Sequence, residues 1–156
     1  MTDQGRLARA CRLLVRIELF DRVYGRFQQD AILDTGAPFS LFPFFVWNSQ
    51  NLNWTPLGSQ LLTAQGQSVP DALKWLGISC DLGVTQITLV DETNRPTRFL
   101  RTIAKFPRAP LPVRFEKATI LGYGFLLDNA LTLTVEPASR ASVGNLANVV
   151  GSLALH

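Results

Sequence analysis

Residues 31–37, Ala-Ile-Leu-Asp-Thr-Gly-Ala, put one carboxylate, Asp34, on a tight turn directly after three apolar residues. Asp and Gly are turn residues, while the run before them reads as a buried strand. Phe39-Ser40-Leu41-Phe42 then reads as the next extended segment. The strand must stop at Asp34 and the chain must double back within a few residues. Much later, Ala118-Thr119-Ile120-Leu121-Gly122 again sets branched apolar residues ahead of a Gly. Taken alone, Asp34-Thr35-Gly36 is also what a β-turn without chemistry looks like.

Period-two alternation dominates the rest of the chain. Cys11, Leu13, Val15, Ile17 and Leu19 fall on one face, with Arg12, Arg16 and Glu18 on the other, which predicts a half-buried strand. Asp21 to Gly25 supplies a turn, and Arg26 to Leu33 returns as the strand that delivers Asp34. Pro43 opens a short predicted helix to Gln50, since Pro lacks an N–H that the first helical position leaves unpaired anyway. Gly58–Ala64 and Lys74–Cys80 read as strands around the polar tip Gln65-Gly66-Gln67-Ser68. Val84–Val90 and Arg98–Phe106 are further strands about the turn Asp91–Pro96. A helical turn is expected at Gly124–Asn129, and Leu131, Leu133 and Val135 alternate with Thr132 and Thr134 in a final core strand. The 156 residues fit one domain. Residues 1–10 read as an N-terminal arm, 11–136 as the domain and 137–156 as a weakly patterned tail.

The strand ending in Asp34-Thr35-Gly36-Ala37, with Ile120-Leu121-Gly122 downstream, resembles the single-domain, retropepsin-like aspartic proteases. That resemblance covers most of residues 11–136, and its specific identity lies in the two short motifs. It implies an all-β closed barrel or sandwich with one or two short helices. It implies an endopeptidase in which Asp34 activates water, Thr35 ties its loop to a partner, and Gly36 lets the backbone approach closely. Ala37, Gly122 and a flap over roughly Leu62–Leu73, with Gly66 at its tip, would contact substrate. The same stretch also reads as an ordinary surface hairpin. Pepsin-like enzymes carry two such motifs in a chain about twice as long, whereas none of the other acids here sits in an Asp-Thr-Gly or Asp-Ser-Gly setting. An active enzyme is therefore expected to be a homodimer, with Asp34 of each subunit across a two-fold axis and the tail a candidate for the contact.

This sequence departs from viral retropepsins in a coordinated way. Those enzymes usually place acidic residues after the Asp-Thr-Gly-Ala run and an Arg after Ile-Leu-Gly. Here the positions hold Pro38, Phe39 and Tyr123. Both ends of an ion pair are missing together, which leaves no charge buried alone. Ala37 also lacks the hydroxyl that Ser or Thr would offer the carboxylate, so a mildly acidic optimum is expected.

Other chemistries find little support. The sole His is His156, the last residue of the chain, and Cys11 and Cys80 with one His make no zinc set. No metal or other cofactor is expected. Gly122-Tyr123-Gly124 lacks the context of a phosphate-binding loop. A net charge of +3 is mild, and the basic run from Arg95 to Lys117 reads as one wet strand face and a Pro-marked loop. Nucleic-acid binding is therefore not expected. Charged residues make up only 17% of the chain, which suits a protein that buries surface against a second copy. Two cysteines make no disulfide framework, Arg16 and Glu18 interrupt the N-terminal apolar run, and no stretch is long enough to span a membrane. A cytoplasmic protein acting on peptides or proteins is the expectation. The alternative is a catalytically silent relative that dimerises or binds peptides.

Overall fold

The computed structural model describes residues 13–57, 74–137 and 149–155. Strands β1 (Leu13–Asp21) and β2 (Gly25–Asp34) form an antiparallel hairpin in register from Leu13↔Leu33 to Asp21↔Gly25. Its turn is held by Asp21, whose Oδ1 accepts the N–H groups of Val23 and Tyr24. The chain continues through β3 (Ser40–Leu41), β4 (Trp54–Pro56), β5 (Lys74–Trp75), β6 (Ile78–Leu89), β7 (Leu100–Pro107) and β8 (Thr119–Gly122). Helix α1 (Tyr123–Asp128) and strands β9 (Leu131–Pro137) and β10 (Val149–Leu155) follow.

Neighbouring strands run β1-β2-β8-β3-β7-β6, and β6 returns to β1 through Ile17↔Leu89 and Glu18↔Thr88, so six strands close a barrel. Closure leaves those strands no open sheet edge to protect. The inward positions are the expected apolar ones. Ile17, Leu19, Ala31, Ile87, Leu100, Ala104, Phe106 and Leu121 are all fully buried in one cluster. Trp54 stacks on Phe106 with centroids 4.1 Å apart, and Phe42 stacks on the same ring at 5.7 Å. The aromatic residues around Phe42 and Trp54 thus build core.

Several expected boundaries are corrected. Lys74–Cys80 is not one strand: Leu76 and Gly77 take φ of 48° and 78°, the two-residue positive-φ turn that a tight hairpin favours. That turn separates β5 from β6. Conversely, β6 does not break between Cys80 and Val84 but runs 12 residues through Gly83. A Cβ at Gly83 would overlap the Trp54 ring, so this glycine makes room for a stacked aromatic and ends nothing. The predicted helix at Pro43–Gln50 shortens to a π-helical turn, Phe45–Ser49, where the Leu52 N–H bonds to the Trp47 carbonyl five residues back. The strand expected to be the last, β9, is followed by β10 and pairs with it in a separate two-stranded sheet, although Leu131 and Leu133 still pack on the core.

The turn at Asp91–Pro96 forms as expected. Asp91 Oδ1 accepts the backbone N–H of Arg95, the Thr93 hydroxyl and the Thr93 N–H, which holds its carboxyl below the usual range. The predicted strand at Gly58–Ala64, the flap with Gly66, and the N-terminal arm lie outside the described residues. Among the described residues, no helix is long and apolar enough to cross a membrane.

Candidate functional site

β8 lies between two strands that are consecutive in the chain. It pairs parallel with β2 in the register Ala31↔Thr119 to Asp34↔Gly122, and antiparallel with β3 through Leu41↔Ile120. Residues 35–39, which join β2 to β3, must therefore cross over the C-terminal end of β8. Asp34 is exposed at the start of that crossing, as are Thr35 and Gly36.

The crossing is tightly fastened. The Gly36 N–H donates to Asp34 Oδ1 at 2.9 Å, and the Ala37 N–H donates to the Asp34 carbonyl at 3.2 Å. From the other side, Tyr123 N–H donates to the Ala37 carbonyl at 2.6 Å, and Gly124 N–H to the Pro38 carbonyl at 3.2 Å. Contact is close enough to require glycine. A Cβ on Gly122 would lie 2.6 Å from the carbonyl oxygens of Ala37 and Phe39, and one on Gly124 would lie 2.6 Å from the Pro38 oxygen. At Gly36 a Cβ would come within 3.3 Å of Asp34 Oδ1, crowding the carboxylate itself. Asp34, Gly36, Ala37 and Gly122 are thus brought together as the two motifs suggested.

Beneath the crossing sits a pair of hydroxyls that the motifs do not reveal. Ser40 Oγ accepts the Gly122 N–H at 3.2 Å and lies 2.7 Å from Thr102 Oγ1, with both residues fully buried. Ser40 thus satisfies the backbone donor at the end of β8, and Thr102 partners its hydroxyl. Their only sequence signal is a hydroxyl residue inside an apolar strand, at Phe39-Ser40-Leu41 and again at Arg101-Thr102-Ile103. Ser40→Ala orphans a buried N–H and a buried hydroxyl, which costs about 1–3 kcal/mol. The urea midpoint should fall accordingly, and adding Thr102→Val should recover part of the loss by removing the orphaned hydroxyl.

Side chains alternate along a strand, so Asp34 projects from the same face as Ile32. The pairing registers extend that face into a continuous cross-strand row: Leu14↔Ile32, Ile32↔Ile120, Ile120↔Leu41 and Leu41↔Lys105. Exposure falls along the row from Leu14 at 64% to the buried Leu41, so Leu14, Ile32 and Ile120 form the apolar surface beside Asp34. Gly122 stands two positions beyond Ile120, and the space its side chain would take next to Asp34 is filled by the carbonyls of Ala37 and Phe39. Lys105 follows Leu41, and Leu82 of β6 carries the row on.

Among the described residues, the acids in ion pairs and turns are engaged away from Asp34. Asp30 pairs with Arg16 at 2.9 Å, Asp81 with Arg108, and Glu18 with Arg26. Asp21 and Asp91 each hold a turn, and Glu116 accepts the N–H groups of Phe45 and Leu111. Among the described residues, the Thr35 hydroxyl has no partner, so its expected bracing role finds no counterpart there. No three His, Cys, Asp or Glu among the described residues converge as metal ligands. Burial pushes the Cys80 thiol up from its ordinary pKa, which keeps this core-facing group unreactive. A shallow groove lined by Phe20, Asn53, Thr55, Gln86 and Phe99 opens at the far end of β1 from the Asp34 loop.

Compared with protein-family models and with curated proteins, the chain matches none.

Proposed function

We propose that the chain is a retropepsin-like aspartic endopeptidase whose site is completed by a second copy. The observation that carries this reading is the placement of Asp34. Its loop is fastened by main-chain bonds across Gly122, and its carboxylate shares a strand face with Leu14, Ile32, Ile120 and Leu41. A fixed carboxylate above an apolar floor suits hydrolysis between apolar residues of an extended peptide bound as an added strand.

Two Asp34 carboxylates a few ångströms apart cannot both ionise, so they share one proton. The protonated one polarises the scissile carbonyl. The ionised one takes a proton from the attacking water, and no covalent intermediate forms. The Gly36 N–H, bonded to Oδ1, fixes the carboxyl orientation. It leaves the other oxygen for water and substrate. Thr35, exposed beside the carboxylate, would find its hydroxyl partner in the facing loop. Pro38, Phe39 and Tyr123 replace an ion pair with neutral contacts, so this dimer would rest on apolar surface.

The test is cleavage of an unbiased peptide library between pH 4 and 7, with sedimentation of the same samples. Cuts between apolar residues from a dimer support the reading. Intact peptides from a well-folded dimer would point to the silent binding module. Because Ala37 offers no hydroxyl to favour the ionised carboxyl, the optimum should be mildly acidic. An optimum below about pH 3, under the ordinary carboxylate value, would contradict this.

A further inference from the structure

The row of side chains beside Asp34 includes a cation, Lys105, that forms no ion pair among the described residues. Lys105 follows Leu41 in the cross-strand register, on the face from which Asp34 projects. Its Nζ stands over the Phe39 ring at 5.9 Å and donates to the Lys74 carbonyl at 3.4 Å. The first contact is within the reach of a cation–π interaction. Phe39 belongs to the crossing loop itself, its carbonyl packed against Gly122. Lys74 begins β5, and the neighbouring Trp75 is pinned edge-on to Phe115 with centroids 5.3 Å apart. Among the described residues neither lysine forms an ion pair, although Arg16, Arg26 and Arg108 all do. Lys105 is also half-buried, so its stem is covered and its ammonium is held at one place instead of sweeping through solvent.

We propose that Lys105, held by Phe39 and joined by Lys74, forms a subsite that selects an acidic side chain, so that Asp34 acts on peptides carrying Glu or Asp at a set distance from the cleaved bond. This rests on the reading of Asp34 as half of a protease dyad. From β2 and β8, where Asp34 and Gly122 pair, to β7 is two to three strand spacings, or roughly 10–15 Å. An extended peptide laid along the row covers that span in about three to four residues. The intervening positions pass the half-buried Ile120 and take apolar side chains. A two-fold axis places one Lys105 at each end of the cleft, so the acidic preference applies on both sides of the bond. The substitution of Pro38 and Phe39 for the acids usual in viral retropepsins then has a consequence. Phe39, which stands under the Lys105 ammonium, brings it no negative charge.

The experiment compares matched peptides with Glu or Gln three and four residues from an apolar cleavage pair, using wild type, Lys105→Met and Lys105→Glu. Wild type should favour Glu over Gln in kcat/KM by about threefold to tenfold at low salt, as a partly buried ion pair allows. The advantage should shrink as salt rises. Lys105→Met should level it, and Lys105→Glu should reverse it in favour of Lys at the same position. Cleavage with no acidic preference, or a preference that survives both substitutions, overturns the subsite and leaves the protease reading standing. If wild type cuts neither peptide, their binding is measured by fluorescence anisotropy. Tighter binding of the Glu peptide that Lys105→Met abolishes would keep the subsite and refute catalysis. Equal binding, or none, overturns it.

Discussion

Asp34→Asn is expected to abolish peptide cleavage while leaving the protein folded and its sedimentation unchanged. The substitution is nearly isosteric, and the Asn carbonyl oxygen can still accept the Gly36 N–H that now meets Oδ1 at 2.9 Å. The crossing loop therefore keeps its shape. What is lost is the capacity to hold or give up a proton near neutral pH. Positioned acid–base groups contribute about 10²–10⁴-fold each, and in a homodimer one substitution removes both, so activity should drop beyond about 10³-fold.

Subunit mixing sharpens the same prediction. Among the described residues, the acids in ion pairs and turns are engaged elsewhere and give Asp34 no second carboxylate. When wild type and Asp34→Asn are mixed in equal amounts and allowed to exchange, about a quarter of the dimers carry two wild-type subunits by random pairing. Activity should fall to that quarter. A fall to one half would mean that each Asp34 works alone, and the shared-proton mechanism would be wrong. No activity from any sample, with a monomer in sedimentation, would remove the dyad altogether.

The strands that carry Asp34 were legible because their pattern is local. Leu13 to Leu19 alternates, Arg26 to Leu33 answers it, and the two pair over their full length. The association of Asp34 with Gly122 is a contact across 88 positions (122 − 34), and no periodicity reports such a distance. It was reached only through the pair of motifs. Elsewhere the cause of a residue was not in its neighbours. Gly83 looks like a strand break because its reason, the Trp54 ring, lies on another strand. Leu76-Gly77 reads as strand because a positive φ at Leu76 is imposed by the β5–β6 pairing, against the preference of a leucine. Ser40 and Thr102 are 62 positions apart, and either alone is an unremarkable hydroxyl in a strand. Lys105 read as part of a wet basic face until the register put it in line with Asp34.

Gly122→Ala should separate the two things this loop does, folding and placement of a carboxylate. The backbone at Gly122 is extended, with φ of −83° and ψ of 174°, and any residue can adopt it. The obstacle is steric. The added methyl would meet the Ala37 carbonyl oxygen and the Phe39 carbonyl at 2.6 Å, and these are main-chain atoms that cannot swing aside as a side chain end can. To relieve the overlap, residues 37–39 must lift from β8, which lengthens the bonds from Tyr123 and Gly124 and tilts Asp34. Overpacking of this kind costs about 1–3 kcal/mol, a drop in Tm of roughly 2–10 °C for a domain of this size. The effect on turnover should be far larger, since a displacement of about 1 Å at a reacting group can cost 10²-fold. Gly83→Ala supplies the comparison, because its methyl overlaps the Trp54 ring on strands that do not carry the loop. It should destabilise to a similar degree yet keep kcat for the folded fraction within about threefold of wild type, assayed well below either Tm. Equal losses of kcat in the two variants would mean that barrel stability alone governs the site. A loss confined to Gly122→Ala would mean that the close approach of main chain to main chain, which only glycine permits here, is what aims Asp34.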